Sequence, residues 1–439
     1  MSNSTILAKI SDKSIKIGII GLGYVGLPLA VTFARNGVKI LGFEKNGKKV
    51  NSVNKAHNYI SDVLDSDLVM VVKETKMLSA TVDFSRIREC DAIIVCVPTP
   101  LDKFKKPDMS YIEQSCMDIG KNMQPQTFIS LESTTYPTTT EDFMKPVIER
   151  ESGLVEGKDF WLCFSPERID PGNKKYKTDN TPKIIGALGE EAKQIAVALY
   201  GIAIQHLHVV SSPRVAEMAK ILENTYRLVN ISLINELALL SSRMNIDIWE
   251  VIEAAKTKPY GFQPFYPGPG IGGHCIPLDP FYLEHIAKNY NFDLSMIHAA
   301  GAINDLMPYR MMVKISFALN KRKKALNGST ILFLGIAYKP DIDDARESPA
   351  LLVMEQTLKK GANVIYHDPY VSETIDRNGR RWIGVELSDD VLSNADCVVF
   401  TTNHSCFDVD HIVEKAQLVV DTRNAVKYVN IGDRKVFKL

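Results

Sequence analysis

The chain has no paired cysteines. Its seven, Cys90, Cys96, Cys116, Cys163, Cys275, Cys397 and Cys406, are scattered singly and none forms a CxxC pair. An odd, dispersed set excludes a disulfide framework and fits a reducing compartment. No cysteine and histidine cluster has metal-ligand spacing, so no metal is expected. Net charge is also lacking: 52 basic and 52 acidic side chains cancel. That removes any global drive toward nucleic acid or an anionic membrane and leaves only local anion sites. No apolar run approaches the roughly 18 residues of a membrane span. The opening MSNSTILAKISDKSIKI holds no apolar stretch long enough for a signal peptide. These absences predict a soluble, cytoplasmic protein without nucleic-acid or membrane partners.

What is present is an ordinary globular composition, 45% hydrophobic and 24% charged, spread over 439 residues. That length exceeds one core and calls for two or three domains. Short apolar strands at 16–20, 38–43, 91–97, 127–131, 160–165 and 183–187 alternate with helical stretches such as 26–35, which predicts a parallel sheet covered on both faces. From Ser212-Pro213, a helix cap with proline in the first turn, helical spacing runs unbroken from 214 to 244. This spine is far longer than the usual 11–12 residues. A Pro/Gly-rich stretch and further helices follow to about 319. The basic run 321–324 reads as a solvated helix end or linker. A second strand–helix–strand unit starts at Thr330, with a helix near 348–360. The expected fold is α/β, with two doubly wound Rossmann-like domains, 1–211 and 321–439, joined by a central helical domain, 212–320.

Gly21-Leu22-Gly23-Tyr24-Val25-Gly26 follows a strand and opens a helix. The first glycine makes the tight turn, the second lets backbone approach a pyrophosphate, and the third lets helix pack on strand. Glu44 ends the next strand, where a carboxylate accepts from an adenosine ribose and repels a 2′-phosphate, favouring NAD over NADP despite nearby Lys45, Lys48 and Lys49. Val97-Pro98-Thr99-Pro100 and Ser133-Thr134 end strands at the same carboxyl edge, where ligands bind in such sheets.

The densest signal is the loop 266–280. Glycines at 268, 270, 272 and 273 strip side chains from one stretch of backbone, which suits close approach to a flat or anionic ligand. Cys275 ends this loop just before a helix whose N-terminus favours thiolate. His274 is a weak base candidate, because neighbouring residues of an extended loop point apart. Lys220 and Asn224 share a helix face one turn apart. Glu217, Glu223 and Arg227 read as surface charge.

Six motifs then form one pattern: GLGYVGLPLA (21–30), VPTP (97–100), SPER (165–168), EMAKILENTYR (217–227), GPGIGGHCIPLDP (268–280) and GIAYKPDIDDARESPA (335–350). The chain resembles the UDP-glucose/UDP-N-acetyl-sugar 6-dehydrogenases over nearly its whole length. LESTTYPTTTE (131–141), SPERIDPGN (165–173) and 258–283 are most similar to the branch acting on UDP-N-acetylglucosamine. Leu278, where the UDP-glucose enzymes usually carry lysine, and Pro171, near their second glutamate, depart from the UDP-glucose pattern.

The resemblance implies NAD-dependent, four-electron oxidation of a sugar C6 alcohol through a covalent adduct on Cys275. It implies catalytic roles for Lys220, Asn224, Asp279, Thr134 and Glu167. Cofactor contacts are expected from Gly21, Gly23, Tyr24, Val25, Gly26, Glu44, Pro98, Thr99, Ser133, Thr134 and Arg346. Substrate contacts are expected from Glu167, Arg168, Lys220, Asn224, Phe265, Tyr266, Gly272, Lys339 and Arg346. Gly335 lacks the other fingerprint glycines, so the second lobe is expected to take UDP rather than a second NAD. A homodimer through the 214–244 helix is the family expectation. UDP-glucose and the galacto and manno epimers of the N-acetyl sugar are the alternative substrates. A two-electron hydroxy-acid dehydrogenase using Lys220 without a thiol is the more distant alternative, and a non-catalytic nucleotide-sugar binder the remotest.

Overall fold

Eight strands form the first sheet: β1 (Lys16–Ile20), β2 (Lys39–Phe43), β3 (Leu78–Thr81), β4 (Ala92–Val95), β5 (Thr127–Leu131), β6 (Phe160–Phe164), β7 (Lys183–Ala187) and β8 (Leu207–Val210). They come from a computed structural model, which describes backbone from residue 3 and side chains from residue 6, except residues 61, 103–105, 169–172, 174, 274–275 and 428–434. The strand order is β3-β2-β1-β4-β5-β6-β7-β8. Every residue of β4 to β7 is buried, as the apolar runs require of strands covered on both faces. Alternation splits β4 between two cores. Ala92 and Ile94 join Ile17, Ile19 and Phe33 on one face; Ile93 and Val95 join Ile112, Ile129 and Leu162 on the other. The chain leaves β1 toward β2 on one side and returns at β4 on the other. This is the reversal of strand order at which such sheets bind ligands, outside the strands' carboxyl ends.

The first unit departs from the sequence reading in several places. The helix Asn3–Ser11 and strands β3 and β8 were not foreseen. β3 buries only alternate residues and β8 buries none fully, so neither shows a continuous apolar run. β7 lies antiparallel to β6, because no helix forms among the described residues between them to carry a parallel crossover.

Pro213–Met244 is a single helix of 32 residues, and the Ser212 hydroxyl accepts from Val215 N–H at its start. Two compact units divide the chain: Met1–Glu223 with Phe281–Phe292, and Asn224–Pro280 with Asp293–Leu439. The second contains β9 (Thr330–Leu334), β10 (Asn363–His367), the hairpin β11 (Glu373–Ile375) and β12 (Arg381–Ile383), then β13 (Cys397–Phe400), β14 (Val419–Asp421) and β15 (Val436–Lys438). Its parallel sheet runs β10-β9-β13-β14-β15. Ser348 caps the helix Pro349–Lys359 by accepting from Ala350 N–H, with proline in the first turn. The helices Ile248–Lys256 and Ser295–Lys321 share one core with this sheet: Ile252, Met311 and Ile315 belong to the same apolar cluster as Ile331, Phe333 and Val399. No helix among the described residues is long and apolar enough to cross a membrane.

Candidate active site

The first glycine turn is built tightly. Gly21 has φ +91°, and a Cβ there would lie 2.5 Å from the Cys96 carbonyl oxygen. A Cβ on Gly26 would meet the Gly21 carbonyl oxygen at 1.9 Å, whereas one on Gly23 would meet nothing within 4 Å. The turn is therefore closed at Gly21 and Gly26 and open above Gly23. Tyr24 is exposed and Val25 half-buried where the helix Gly26–Arg35 begins, and a helix N-terminus favours the negative charge of a phosphate. One Glu44 oxygen accepts from Leu22 N–H at 3.2 Å, and the other from Asn46 N–H at 3.1 Å. Lys49 Nζ stands 3.8 Å away. A carboxylate aimed by two amides beside an open turn fits the adenosine ribose of NAD.

The two carboxyl-edge loops meet. The Ser133 hydroxyl donates to the Val97 carbonyl at 2.8 Å. Pro98 is exposed, and Thr99 and Thr134 are half-buried. The Thr99 carbonyl accepts from the Tyr282 hydroxyl at 2.6 Å. Behind the Ser133-Thr134 turn lies Glu217, which the sequence placed among surface charges; it is fully buried. Its carboxylate accepts from Thr138 N–H (2.6 Å), Thr140 N–H (2.9 Å) and the Thr140 hydroxyl (2.7 Å). Burial pushes its pKa up to about 7 against those three donors. Its spacing of three from Lys220, one helical turn, was the available signal. A second unforeseen group stands at the same strand end. Glu132 accepts from Lys183 Nζ at 2.6 Å and from the Tyr200 hydroxyl at 2.6 Å, all three buried.

Lys220 is buried, and its Nζ donates to the Glu167 carbonyl at 2.5 Å. Arg168 pairs with Glu223 at 2.7 Å and donates to the Pro182 carbonyl at 2.8 Å. Arg168, expected at the substrate, thus has protein partners, and Glu223 is not free surface charge. In the second unit Asn224 is fully buried. Its amide donates to Asp279, and its side-chain oxygen accepts from Arg227. Arg227 therefore also departs from the surface reading. The expectations for His274, Cys275 and Pro171 lie outside the described residues.

The glycine-rich loop departs from its expectation as well. Gly268 N–H donates to the Asn235 side chain at 2.9 Å, and Ile271 N–H to Asn304 at 2.6 Å. A Cβ on Gly268 would lie 2.3 Å from the Arg423 guanidinium; one on Gly272 would lie 2.7 Å from Pro349 and 2.8 Å from Tyr338. These glycines admit protein groups, and two of the amides are already bound within the protein. Phe265 packs edge-on against Tyr226 at 5.7 Å. Tyr266 stacks over Trp249 at 6.1 Å, and its hydroxyl donates to Glu253 at 2.8 Å. Asn235, Asn304 and Arg423 were missed, since nothing local in the sequence links them to this loop.

The loop after β9 contrasts with the first glycine turn. Gly335 has φ +77°, and a Cβ there would lie 2.3 Å from the Thr402 carbonyl oxygen. Ile336 and Ala337 N–H groups donate to Asp368 at 2.6 and 2.9 Å. A buried carboxylate thus takes the amides at the start of this loop. Asp368 also bonds His404 Nε2 at 3.0 Å, while His404 Nδ1 accepts from Asp341 N–H at 3.0 Å. Between these ties sits Lys339, half-buried. Arg346 turns its fork onto Asp344, at 2.9 and 2.6 Å.

Comparison with known proteins agrees with this architecture. Residues 15–204 match the NAD binding domain of the UDP-glucose/GDP-mannose dehydrogenase family, 214–306 its central domain, and 332–428 its UDP binding domain. The chain belongs to that family, and its cofactor is NAD. It is 36% identical to a UDP-N-acetyl-D-glucosamine 6-dehydrogenase of Pseudomonas aeruginosa, over 82% of this chain and 84% of the relative. The structure of a UDP-D-ManNAc dehydrogenase from Pyrococcus horikoshii superposes with a TM-score of 0.87 at 32% identity, covering 97% of this chain and 99% of that one. An NDP-N-acetyl-D-galactosaminuronic acid dehydrogenase from Methanosarcina mazei gives 0.79 at 32% identity, covering 99% and 97%.

Proposed function

We propose that the chain oxidises the C6 alcohol of a UDP-N-acetylhexosamine to the uronate, with Cys275 as nucleophile, and that UDP-N-acetylglucosamine is the substrate. The buried bond between Asn224 and Asp279 carries this reading. It joins the helix position one turn beyond Lys220 to the segment four residues past Cys275, and each of these buried polar side chains satisfies the other, which fixes both in place. All three relatives described above bear the names of N-acetylated or N-acetyl-derived sugar substrates or products, and the one with the highest identity, 36%, bears the gluco name.

NAD, when bound, would supply a hydride acceptor, one molecule for the first oxidation and a second for the next. In the first, Lys220 and Asn224 surround the reacting oxygen, and the alcohol becomes an aldehyde as its hydroxyl proton leaves toward Lys220 or water. Cys275 thiolate adds to the aldehyde carbon, and the oxygen takes a proton to give a thiohemiacetal. The second oxidation leaves a thioester. Water, positioned by Thr134 and Glu167, attacks it. The carboxylate leaves, and Cys275 is released as thiol, with Asp279 assisting proton transfer. Gly21, Gly23, Gly26, Glu44, Pro98, Thr99 and Ser133 hold the cofactor. Lys339 and Arg346 hold UDP phosphate or ribose, Arg346 by exchanging Asp344 for the ligand.

The functional segments are 1–211 for NAD, 212–320 for the cysteine loop and assembly, and 321–439 for UDP, in a cytoplasmic homodimer. The exposed stripe Met218, Leu222, Leu233, Leu237, Leu240 and Met244 on one helix supports the dimer. Light scattering tests it: L237D should yield monomers, and an unchanged wild-type monomer mass would reject it. The function is tested by NAD reduction over UDP-glucose and the three N-acetylhexosamine epimers. Two NADH per UDP-N-acetylglucosamine, with C275A producing no carboxylate, is the expected result. Turnover with UDP-glucose alone would overturn the assignment.

A further inference from the structure

The helix Asp279–Ala287 begins four residues after Cys275 in sequence, and Tyr282 lies in its first turn, fully buried. The Tyr282 hydroxyl donates to the Thr99 carbonyl at 2.6 Å and lies 3.3 Å from the Pro100 carbonyl. Thr99-Pro100 is the turn after β4, at the carboxyl edge of the first sheet. The same helix reaches the neighbouring edge loop. His285, three residues on and therefore on the same face, places its ring 6.2 Å from that of Tyr136, just past Ser133-Thr134. A phenylalanine would fill the Tyr282 site equally well. What the hydroxyl adds is a directional tie between the start of this helix and two backbone carbonyls of one turn. A chain of seven residues reaches at most about 25 Å even when fully extended, so a tie at 282 sets the farthest distance at which position 275 can act from this turn.

We propose that Tyr282 is a positioning residue. Its hydroxyl registers the segment that follows Cys275 on the cofactor-edge turn, and so determines whether the aldehyde from the first oxidation is captured by sulfur before it escapes. This rests on the four-electron reading above. The reaction's chemistry makes the tie measurable, because an aldehyde that escapes capture leaves with one NADH formed instead of two.

The test compares wild type, Y282F and H285A. NADH per sugar is counted, and free aldehyde is trapped as an oxime with hydroxylamine. Wild type should give a ratio of two and no oxime. Y282F should fall toward one with oxime accumulating, while the first oxidation slows less than threefold. H285A, which loosens the same helix face without touching the hydroxyl, should leak to a smaller extent and serves alone if Y282F does not fold. In the cofactor-free enzyme, iodoacetamide should alkylate Cys275 at least threefold faster in Y282F, with exposed Cys406 as an unchanged internal reference. A merely structural role would lower the melting midpoint or both rates while keeping the ratio at two. A ratio of two in the folded variants, or an unchanged Cys275 to Cys406 rate ratio, overturns the inference. A wild-type ratio of one would instead overturn the four-electron reading itself.

Discussion

Replacing Lys183 with methionine probes the buried group behind the Ser133-Thr134 turn. Lys183 Nζ and Glu132 lie 2.6 Å apart, with side chains 7% and 0% exposed. The Tyr200 hydroxyl, the carboxylate's other partner, is shared with the Ser130 hydroxyl at 2.8 Å. Methionine keeps most of the alkyl volume and removes the charge. It leaves a carboxylate in apolar surroundings with one neutral donor. Removing one partner of a buried pair costs about 3–5 kcal/mol, a large share of a domain's whole stability. Burial already pushes the Glu132 carboxyl above its ordinary range, against the pull of Lys183, and without the cation it rises further. A carboxyl whose folded pKa exceeds its unfolded value gives its full stability at low pH and loses it as pH rises through the folded pKa. The K183M deficit should therefore shrink toward acid and grow toward alkali. Adding E132Q removes the stranded charge, so the double variant should recover to within about 1 kcal/mol of wild type, since neutral replacement of a buried pair is often without net cost. Guanidinium unfolding followed by circular dichroism, at pH 5 and pH 8 in all three proteins, reads these differences. Equal losses in K183M and K183M/E132Q would trace the effect to packing and not to the stranded Glu132 charge.

Further outcomes follow from the same geometry. G26A places a methyl within 1.9 Å of the Gly21 carbonyl oxygen; it should abolish NAD binding in a fluorescence titration while UDP still binds. D279N should lower kcat by about 100-fold, in the range of lost acid–base assistance, with the UDP-sugar KM changed less than threefold; an unchanged kcat would remove Asp279 from the chemistry. Glu217, raised from an ordinary 4.5 to about 7, contributes stability that is present below pH 4.5 and lost as pH rises through 7. That span corresponds to about 3 kcal/mol. The unfolding midpoint should fall between pH 5 and 8 in wild type and stay flatter in E217Q; parallel pH profiles would contradict this.

The parts of the fold that could be read from sequence are those where burial is complete. Strands β4 to β7 show near-continuous apolar runs, broken by Thr127, Ser130 and Lys183, because both faces are covered. β3 and β8 are four residues each and partly exposed, so their pattern fades into loop. The reversed direction of β7 was hidden for another reason: side-chain periodicity carries no information about strand direction. At the site, the first glycine turn was legible because its demands are local, a positive φ at Gly21 and no room for a Cβ at Gly26. Glu217 was misread because the donors that make it a buried carboxylate lie 77 and 79 residues away in the chain. Asn235 and Asn304 escaped notice because each partner is 33 residues distant. The glycine-rich loop shows the limit most plainly. Its glycines were read as clearing space for a ligand, and at 268 and 272 the cleared space holds Arg423, Pro349 and Tyr338.

The proposed chemistry requires a bond between the sulfur of Cys275 and the sugar's sixth carbon, and the adduct it forms has a measurable mass. Rapid acid quench of enzyme with NAD and UDP-N-acetylglucosamine, followed by digestion and mass spectrometry, should find the peptide containing Cys275 carrying the acyl nucleotide-sugar during turnover and bare after it. Complete conversion to the uronate with that peptide unmodified at every quench time, and undiminished in C275A, would contradict covalent catalysis outright.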